Sequence, residues 1–250
     1  MKRRVIPTLL LQEGRCVKGR QFKDYRNTGD PVTATRVYAA QNADELMFLD
    51  IDASQSGRAA TVAVIERVSE EAFMPFTVGG GITTIQDVRA LLNAGADKVA
   101  ITTAAATSPD LIRAAAQAFG SQCIVAGIDV RREGDRWAVY THAGRVRCDL
   151  ELHDHVRHLE QLGAGEILIN SIDHDGMMAG YDLELVRTVS SVTARPVIAC
   201  GGAGNYGHLI DAFRAGAHAV ACASLFHFGD NNPPRVRAYL KNAGFPVKTT

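Results

Sequence analysis

Short apolar runs recur along the chain, each followed by a stretch with helical spacing. Runs at about 4–10, 45–50, 75–79, 98–102, 123–129, 166–170, 196–200 and 219–223 predict strands. Segments at about 32–42, 57–71, 84–94, 108–119, 152–163, 181–192, 205–215 and 233–243 predict helices. Runs such as VAGID and VIAC are apolar without alternation, the mark of parallel strands covered on both faces. Thr84, Ser108 and Asp182 stand near first turns as helix-start signals. Eight strand–helix units in 250 residues predict one α/β domain over 1–250, a closed (βα)8 barrel rather than an open sheet.

The second half repeats the first. NAGADKVAITTAA (93–105) matches RAGAHAVACASL (214–225), PFTVGGGI (75–82) matches PVIACGGA (196–203), and ELMFLDID (45–52) matches EILINSID (166–173). All three pairs share one offset of about half the chain, which makes the barrel two (βα)4 half-barrels.

Two stretches break the rhythm. LQEGRCVKGRQFKDYRNTGD, after strand one, has no periodicity and is long for a loop in a compact domain, so it is expected to be a lid. RREGDRWAVYTHAGRVRCD, after strand five, predicts a small hairpin with Ala143-Gly144 at its turn. Both follow strands, at the barrel end where such folds place active sites. The opening IPTLLLQEG puts Leu10 at the substrate-facing end of strand one, where a leucine is a poor choice for chemistry.

Composition narrows the function classes. Twenty-seven basic residues balance twenty-seven acidic ones, so nothing asks for nucleic acid or an anionic membrane. No apolar run approaches the ~20 residues of a membrane span, and MKRRVIPTLLLQEG reads as a first strand, not a signal peptide. Five separated cysteines without a C-x-x-C predict reduced thiols in the cytoplasm and no zinc framework. His153, His155 and His158 read as part of a solvated helix rather than a metal site, and no cofactor is expected. Trp137 is expected to pack its loop, Cys200 to face the mouth without activation, and His227 to lie near a phosphate end.

The repeated motifs carry chemistry. Gly79-Gly80-Gly81 follows strand three and Thr102-Thr103 follows strand four; Gly201-Gly202 and Ser224 are their second-half counterparts. Glycines let backbone N–H groups approach an oxyanion, helix starts add positive dipole ends, and hydroxyls donate one more bond. Two such cradles predict an elongated ligand with a phosphate at each end. The binding set is Gly80, Gly81, Thr102, Thr103, Gly201, Gly202 and Ser224.

With FTVGGGI, GADKVAITTAA, FGSQCIVAGID, GAGEILINSIDHDG, GYDLELVR, IACGGAG and ASLFHF, almost the whole chain resembles the cyclase subunit of imidazole glycerol phosphate synthase. The resemblance implies a lyase-type synthase. Ammonia from a glutaminase subunit on the N-terminal face would cross the barrel to a bisphosphorylated ribulosyl aminoimidazole nucleotide. It implies two catalytic aspartates, one ending strand one and one ending strand five. The second is present as Asp129; Leu10 stands at the first. Lys18, Asp50, Asp173 and Asp175 match the family, whereas Asn170, Met177-Met178, Thr102 and Asp52 depart from it. A single acid or base contributes about 10²–10⁴ in rate, so losing one matters. LLL with IDAS and NSID resembles a divergent cyclase-like subgroup that serves a glutaminase and a third amidotransferase protein in surface-polysaccharide sugar biosynthesis. The alternatives are a histidine-biosynthesis cyclase working with Asp129 alone, or a related bisphosphate-binding isomerase.

Arg4, Glu45, Lys98 and Glu166 all start strands, at the N-terminal end of the barrel. Pointing inward they must pair, because an isolated buried charge is costly, and a ring of alternating charges would close the floor. The resemblance assigns these positions to the gate for ammonia and assigns Asp97, beside them, to the glutaminase interface.

Overall fold

The chain opens with β1 (Arg4–Gln12), which runs past its predicted end. The computed structural model describes residues 2–53, 62–227 and 231–248. Beside β1 lie β4 (Leu46–Asp50), β5 (Phe76–Gly79), β6 (Lys98–Ile101), β7 (Ile124–Glu133), β10 (Glu166–Ser171), β11 (Val197–Cys200) and β12 (Ala219–Cys222). Each pairs in parallel with the next, and β12 returns to β1 with Arg4 opposite Ala219. This is the closed eight-stranded α/β barrel the apolar rhythm predicts.

Helices alternate with these strands: α1 (Pro31–Ala40), α2 (Val62–Ser69), α3 (Ile85–Asn93), the short α4 (Thr103–Thr107), α5 (Asp110–Phe119), α6 (Leu152–Gln161), α7 (Leu183–Val192), α8 (Tyr206–Arg214), the short α9 (Ser224–His227) and α10 (Pro233–Asn242). The start of the predicted helix 57–71 lies outside the described residues. Local chemistry fixes the starts. Thr84 and Asp87 form a reciprocal capping box on α3, Asp182 accepts from Leu185 N on α7, and Asp30 precedes Pro31 on α1. Ser108 is a correction: it ends α4 by donating its N–H to the Ala104 carbonyl, and Pro109 occupies the cap of α5. No helix among the described residues is long and apolar enough to cross a membrane.

The stretch after strand one is not an irregular lid. It folds into β2 (Arg15–Arg20) and β3 (Lys23–Gly29), antiparallel to each other, with β2 paired to the overrun of β1. Its turn is made by two non-glycine residues in left-handed conformations, Gln21 and Phe22. After strand five the expected hairpin turns at Ala143-Gly144, and a further antiparallel pairing precedes it. The overrun of β7 pairs with β8 (Arg136–Thr141), turning at Gly134, while Ala143-Gly144 turns β8 into β9 (Val146–Cys148).

Most of the core lies between helices and barrel. A smaller cluster of Ile6, Met47, Ala100, Val125, Leu168, Ile198, Ala219 and Ala221 fills the barrel itself. One contact ties that interior to the mouth. A Cβ on Gly127 of β7 would collide with Oγ1 of Thr102 at the end of β6. Gly127→Ala should therefore destabilise by about 1–3 kcal/mol, as overpacking does. Most of that loss should be recovered in the Gly127→Ala/Thr102→Ala double variant, which removes the colliding hydroxyl. Additive losses in chemical denaturation would place the strain elsewhere.

Candidate active site

The strands end around a cavity of about 250 Å³. Its centre is built by register. Asp129 on β7 sits opposite Asn170 on β10, which sits opposite Cys200 on β11. Across the mouth, Leu10 on β1 sits opposite Leu49 on β4. All five line the cavity, so one half of its centre is polar and the other apolar. Leu49 and Asn170 are partners in the internal repeat, so the difference arose by substitution within one framework.

Asn170 Nδ2 donates to Asp129 Oδ1 at 3.2 Å. Asp129 opens on the cavity but is otherwise walled by protein. That desolvation raises its pKa to about 7; the Asn170 bond opposes the rise and nearby Asp175 adds to it. A carboxyl that titrates near neutrality can both give and take a proton, which general acid–base work requires.

Lys18, on β2, is buried and its Nζ donates to Asp175 Oδ1 at 2.7 Å. The hairpin is held over the mouth by Gln21, whose N–H donates to the Asp175 carbonyl and whose side chain donates to that of Asp173. Gly176 allows this approach: a Cβ there would strike the Gly19 carbonyl. Asp50 accepts from the N–H groups of Asp52 and Ala53, shaping the turn after β4.

Both predicted cradles lie on this cavity, with Gly80, Gly81, Thr102 and Thr103 on one side and Gly201, Gly202 and Ser224 on the other. The glycines are required. Gly80 and Gly201 have positive φ, and a Cβ would strike the carbonyl of Asp50 in one case and crowd that of Ser171 in the other, themselves repeat partners. The hydroxyls differ. Thr103 Oγ1 accepts from His142 N–H in the β8–β9 turn, while buried Ser224 Oγ has no partner among the described residues. Thr102 turns its hydroxyl against Gly127.

At the opposite end, Arg4 reaches Glu45 at 2.6 Å and Glu166 at 3.0 Å, and Lys98 reaches both glutamates at 3.1 Å. The four form a closed ring of alternating charge. Burial lowers the pKa of Arg4, but Glu166 and Glu45 outweigh it and the net shift is upward. Thr77 adds a hydroxyl to Glu45, while Glu166 Oε2 has no partner among the described residues. Asp97 is exposed on this face and accepts from Phe76 N–H. Three residues before Phe76, Phe73 is 87% exposed.

Other residues fall into place by burial. Trp137 packs its hairpin and donates to Asp182. Burial, then Asp175, push the Cys200 thiol up, leaving it inert at neutral pH. His227, on α9, is pulled to about 4 by burial and by Lys18, and it does not line the cavity. The histidine-bearing helix is not uniformly solvated: His155 is buried, and burial lowers its pKa to about 4. Sequence reasoning missed Tyr25, on β3, which lines the cavity. Its phenol is pushed up by burial and then by Asp175, Asp129 and Asp52, so it stays a donor. Its only signal was a place in a stretch that showed no period.

A closed eight-stranded barrel with repeat-related glycine turns around a buried carboxylate centre has the build of an α/β-barrel enzyme. The family described as "Histidine biosynthesis protein" matches residues 4–232, and the chain belongs to it. That family consists of isomerase and cyclase barrels.

Two outcomes follow from the charges. Asp129 keeps its proton in the folded chain up to about pH 7, while the unfolded carboxyl releases it near 3.8. Its contribution is fully present below that lower value and is lost as pH rises through 7. Asp129→Asn should therefore gain stability relative to wild type as pH climbs from 4 to 8, measured by thermal melts. At the floor, Lys98→Ala leaves two glutamates sharing one arginine. It should cost about 3 kcal/mol, near the lower end for a broken buried pair, in urea denaturation.

Proposed function

We propose that this protein is a synthase-type barrel subunit that takes ammonia from a docked glutaminase through its floor. We propose further that it belongs to a branch that hands the nitrogen on rather than cyclising it. The acceptor protein would be a third amidotransferase acting on a surface-polysaccharide sugar. The observation that carries this reading is the pairing of the charge ring at the floor with Leu10 at the mouth. An isomerase needs no ring where a small nucleophile enters, and a cyclase needs a second acid or base where Leu10 stands. Glu166 Oε2 gives the ring a spare acceptor for an incoming N–H group. Exposed Phe73 beside Asp97 gives that face an apolar anchor of the kind found at the centre of stable interfaces. Between floor and mouth the interior is apolar, which suits neutral ammonia better than ammonium.

One observation favours the cyclase alternative: Asp129 is tuned to about 7 and is a competent acid–base group by itself. Turnover decides. With the bisphosphorylated ribulosyl aminoimidazole nucleotide and ammonium salt, and no glutaminase, wild type should show negligible cyclisation. Leu10→Asp should restore a measurable rate, since one acid or base is worth about 10²–10⁴. Robust wild-type turnover that disappears in Asp129→Asn would instead assign an ordinary cyclase. For the partner, a glutaminase encoded with this protein should co-purify and hydrolyse glutamine faster in the complex. Phe73→Asp and Asp97→Ala should weaken that association without altering phosphate binding at the mouth. A partner unaffected by either change would have to dock elsewhere.

A further inference from the structure

The hairpins at the mouth carry a charge excess that the rest of the chain offsets. Residues 15–29, which hold β2 and β3, have five basic side chains and one acidic. Residues 131–149, which hold the end of β7, β8 and β9, have five basic and three acidic. The remaining residues therefore hold 17 basic and 23 acidic side chains, although the whole chain is neutral. Of the ten bases only Lys18 lines the cavity, so the other nine do not meet a small molecule inside it. Lys18, Arg131, Arg132 and Arg147 are ion-paired, and the remaining six have no ion pair among the described residues. Exposed Arg20 and Lys23 even stand directly opposite one another in the β2–β3 ladder. Like charges so placed oppose folding, so the stability of the hairpin does not account for them.

These charges border one continuous surface. A Cβ on Gly176 would come within 3.0 Å of Arg20 Cα, so the β2–β3 hairpin lies against the loop that carries Met177, which is 46% exposed. A Cβ on Gly144 would come within 3.0 Å of Phe22 Cδ2, so the same hairpin lies against the β8–β9 turn, next to Arg145 and Val146. Val146 is 48% exposed. Exposed apolar side chains among unpaired bases match the make-up of a protein interface, in which methionine and arginine are enriched. Nucleic acid fits less well. Arg131 lies over Tyr140 at 4.8 Å and Arg132 over Trp137 at 4.6 Å, which takes both ring faces from any stacking base.

We propose that the rim formed by Arg20, Lys23 and Arg145 around Met177 and Val146 docks an acidic face of the acceptor protein. The identity of that partner rests on the delivery reading above, whereas its acidic chemistry rests on the rim alone. Unpaired surface charge acts over about 8 Å at physiological salt, so the rim attracts and orients an acidic face before contact. Met177 and Val146 then supply the apolar contacts. A protein seated there covers the cavity at the end opposite the charge ring, so floor and mouth can be occupied together.

The test uses the full chain and, as probe, the sugar amidotransferase encoded with it, with affinity measured across a series of sodium chloride concentrations. Wild type should bind more weakly as salt rises. The double variant Arg20→Glu/Arg145→Glu should bind at least about tenfold more weakly at low salt and show a flatter salt dependence, as loss of rim charge does. Met177→Ser should weaken binding by a similar factor at every salt concentration. Arg157→Glu, exposed on α6, should bind like wild type. Arg20→Glu alone sets opposite charges across β2–β3 and should raise the melting temperature, so its weaker binding is not a loss of fold. None of these changes should alter glutamine hydrolysis by a glutaminase docked at the floor. Unchanged affinity in the double variant, or tighter binding of poly(U) RNA than of the amidotransferase, would overturn the rim. Failure of the rim and failure of the delivery reading are distinguishable. If the amidotransferase binds wild type and the double variant equally, the rim falls and delivery stands. If it binds through the rim while no glutaminase docks at the floor, the rim stands and delivery has no source. No association at all overturns both.

Discussion

Closing eight parallel strands confines every inward side chain to a narrow cylinder with two ends. Polar groups cannot sit in its middle without partners, and here the middle is apolar, from Ile6 and Met47 to Ile198 and Ala221. The charged groups are therefore driven to the two rims. At the floor, two basic and two acidic side chains satisfy one another in a ring whose members stand at the starts of β1, β6 and β10 and just before β4. At the mouth, the strand ends are free to diverge, and there the ligand cavity forms. Strand β10 links the two rims, with Glu166 at one end and Asn170 at the other, each bearing an unpartnered acceptor.

The repeat explains which features are symmetric. Cradles are made by backbone, and the need for glycine at Gly80 and Gly201 follows from the same carbonyl pressing on the same Cα in both halves. Such constraints resist change. The centre is made by side chains, which change without moving the backbone. Leu49 and Asn170 occupy equivalent positions and give one half an apolar wall and the other a hydrogen bond to Asp129. Even the cradles diverge where side chains enter: Thr103 is engaged by the β8–β9 turn, and Ser224 is not.

The barrel, its repeat and its glycines were legible in the sequence because they leave periodic traces: buried parallel strands are continuous apolar runs, and duplication preserves offsets. The hairpin β2–β3 left none. In β3, KDYRNTG has no fully buried position, so no alternation marks it as a strand. Its turn uses Gln21 and Phe22 where glycine would have announced it. The charge ring could be anticipated from four strand-start charges, since buried charges must pair. The bond from Asn170 to Asp129 could not, because it depends on register between residues 41 apart. The unpaired oxygens of Asn170 and Asp175 were invisible for the same reason: satisfaction is a property of neighbours in space.

Leu10 sets the character of the wall that faces Asp129. Two carboxyls facing one another across a cavity raise each other's pKa by charge repulsion, and one of them yields its proton. A leucine removes that repulsion but also removes water and polar partners from the facing wall. Desolvation then does what repulsion would have done, and Asp129 still titrates near 7. Asp129 is thus tuned while Leu10 and Leu49 on the facing wall give it no titratable partner. A single tuned carboxyl can shuttle a proton for a nucleophile arriving beside it, but a ring closure that needs one group on each face of the ligand has only one face supplied. Under the proposed function, that division between a tuned carboxyl and an apolar facing wall is the physical ground for treating delivery of nitrogen and cyclisation as separable tasks.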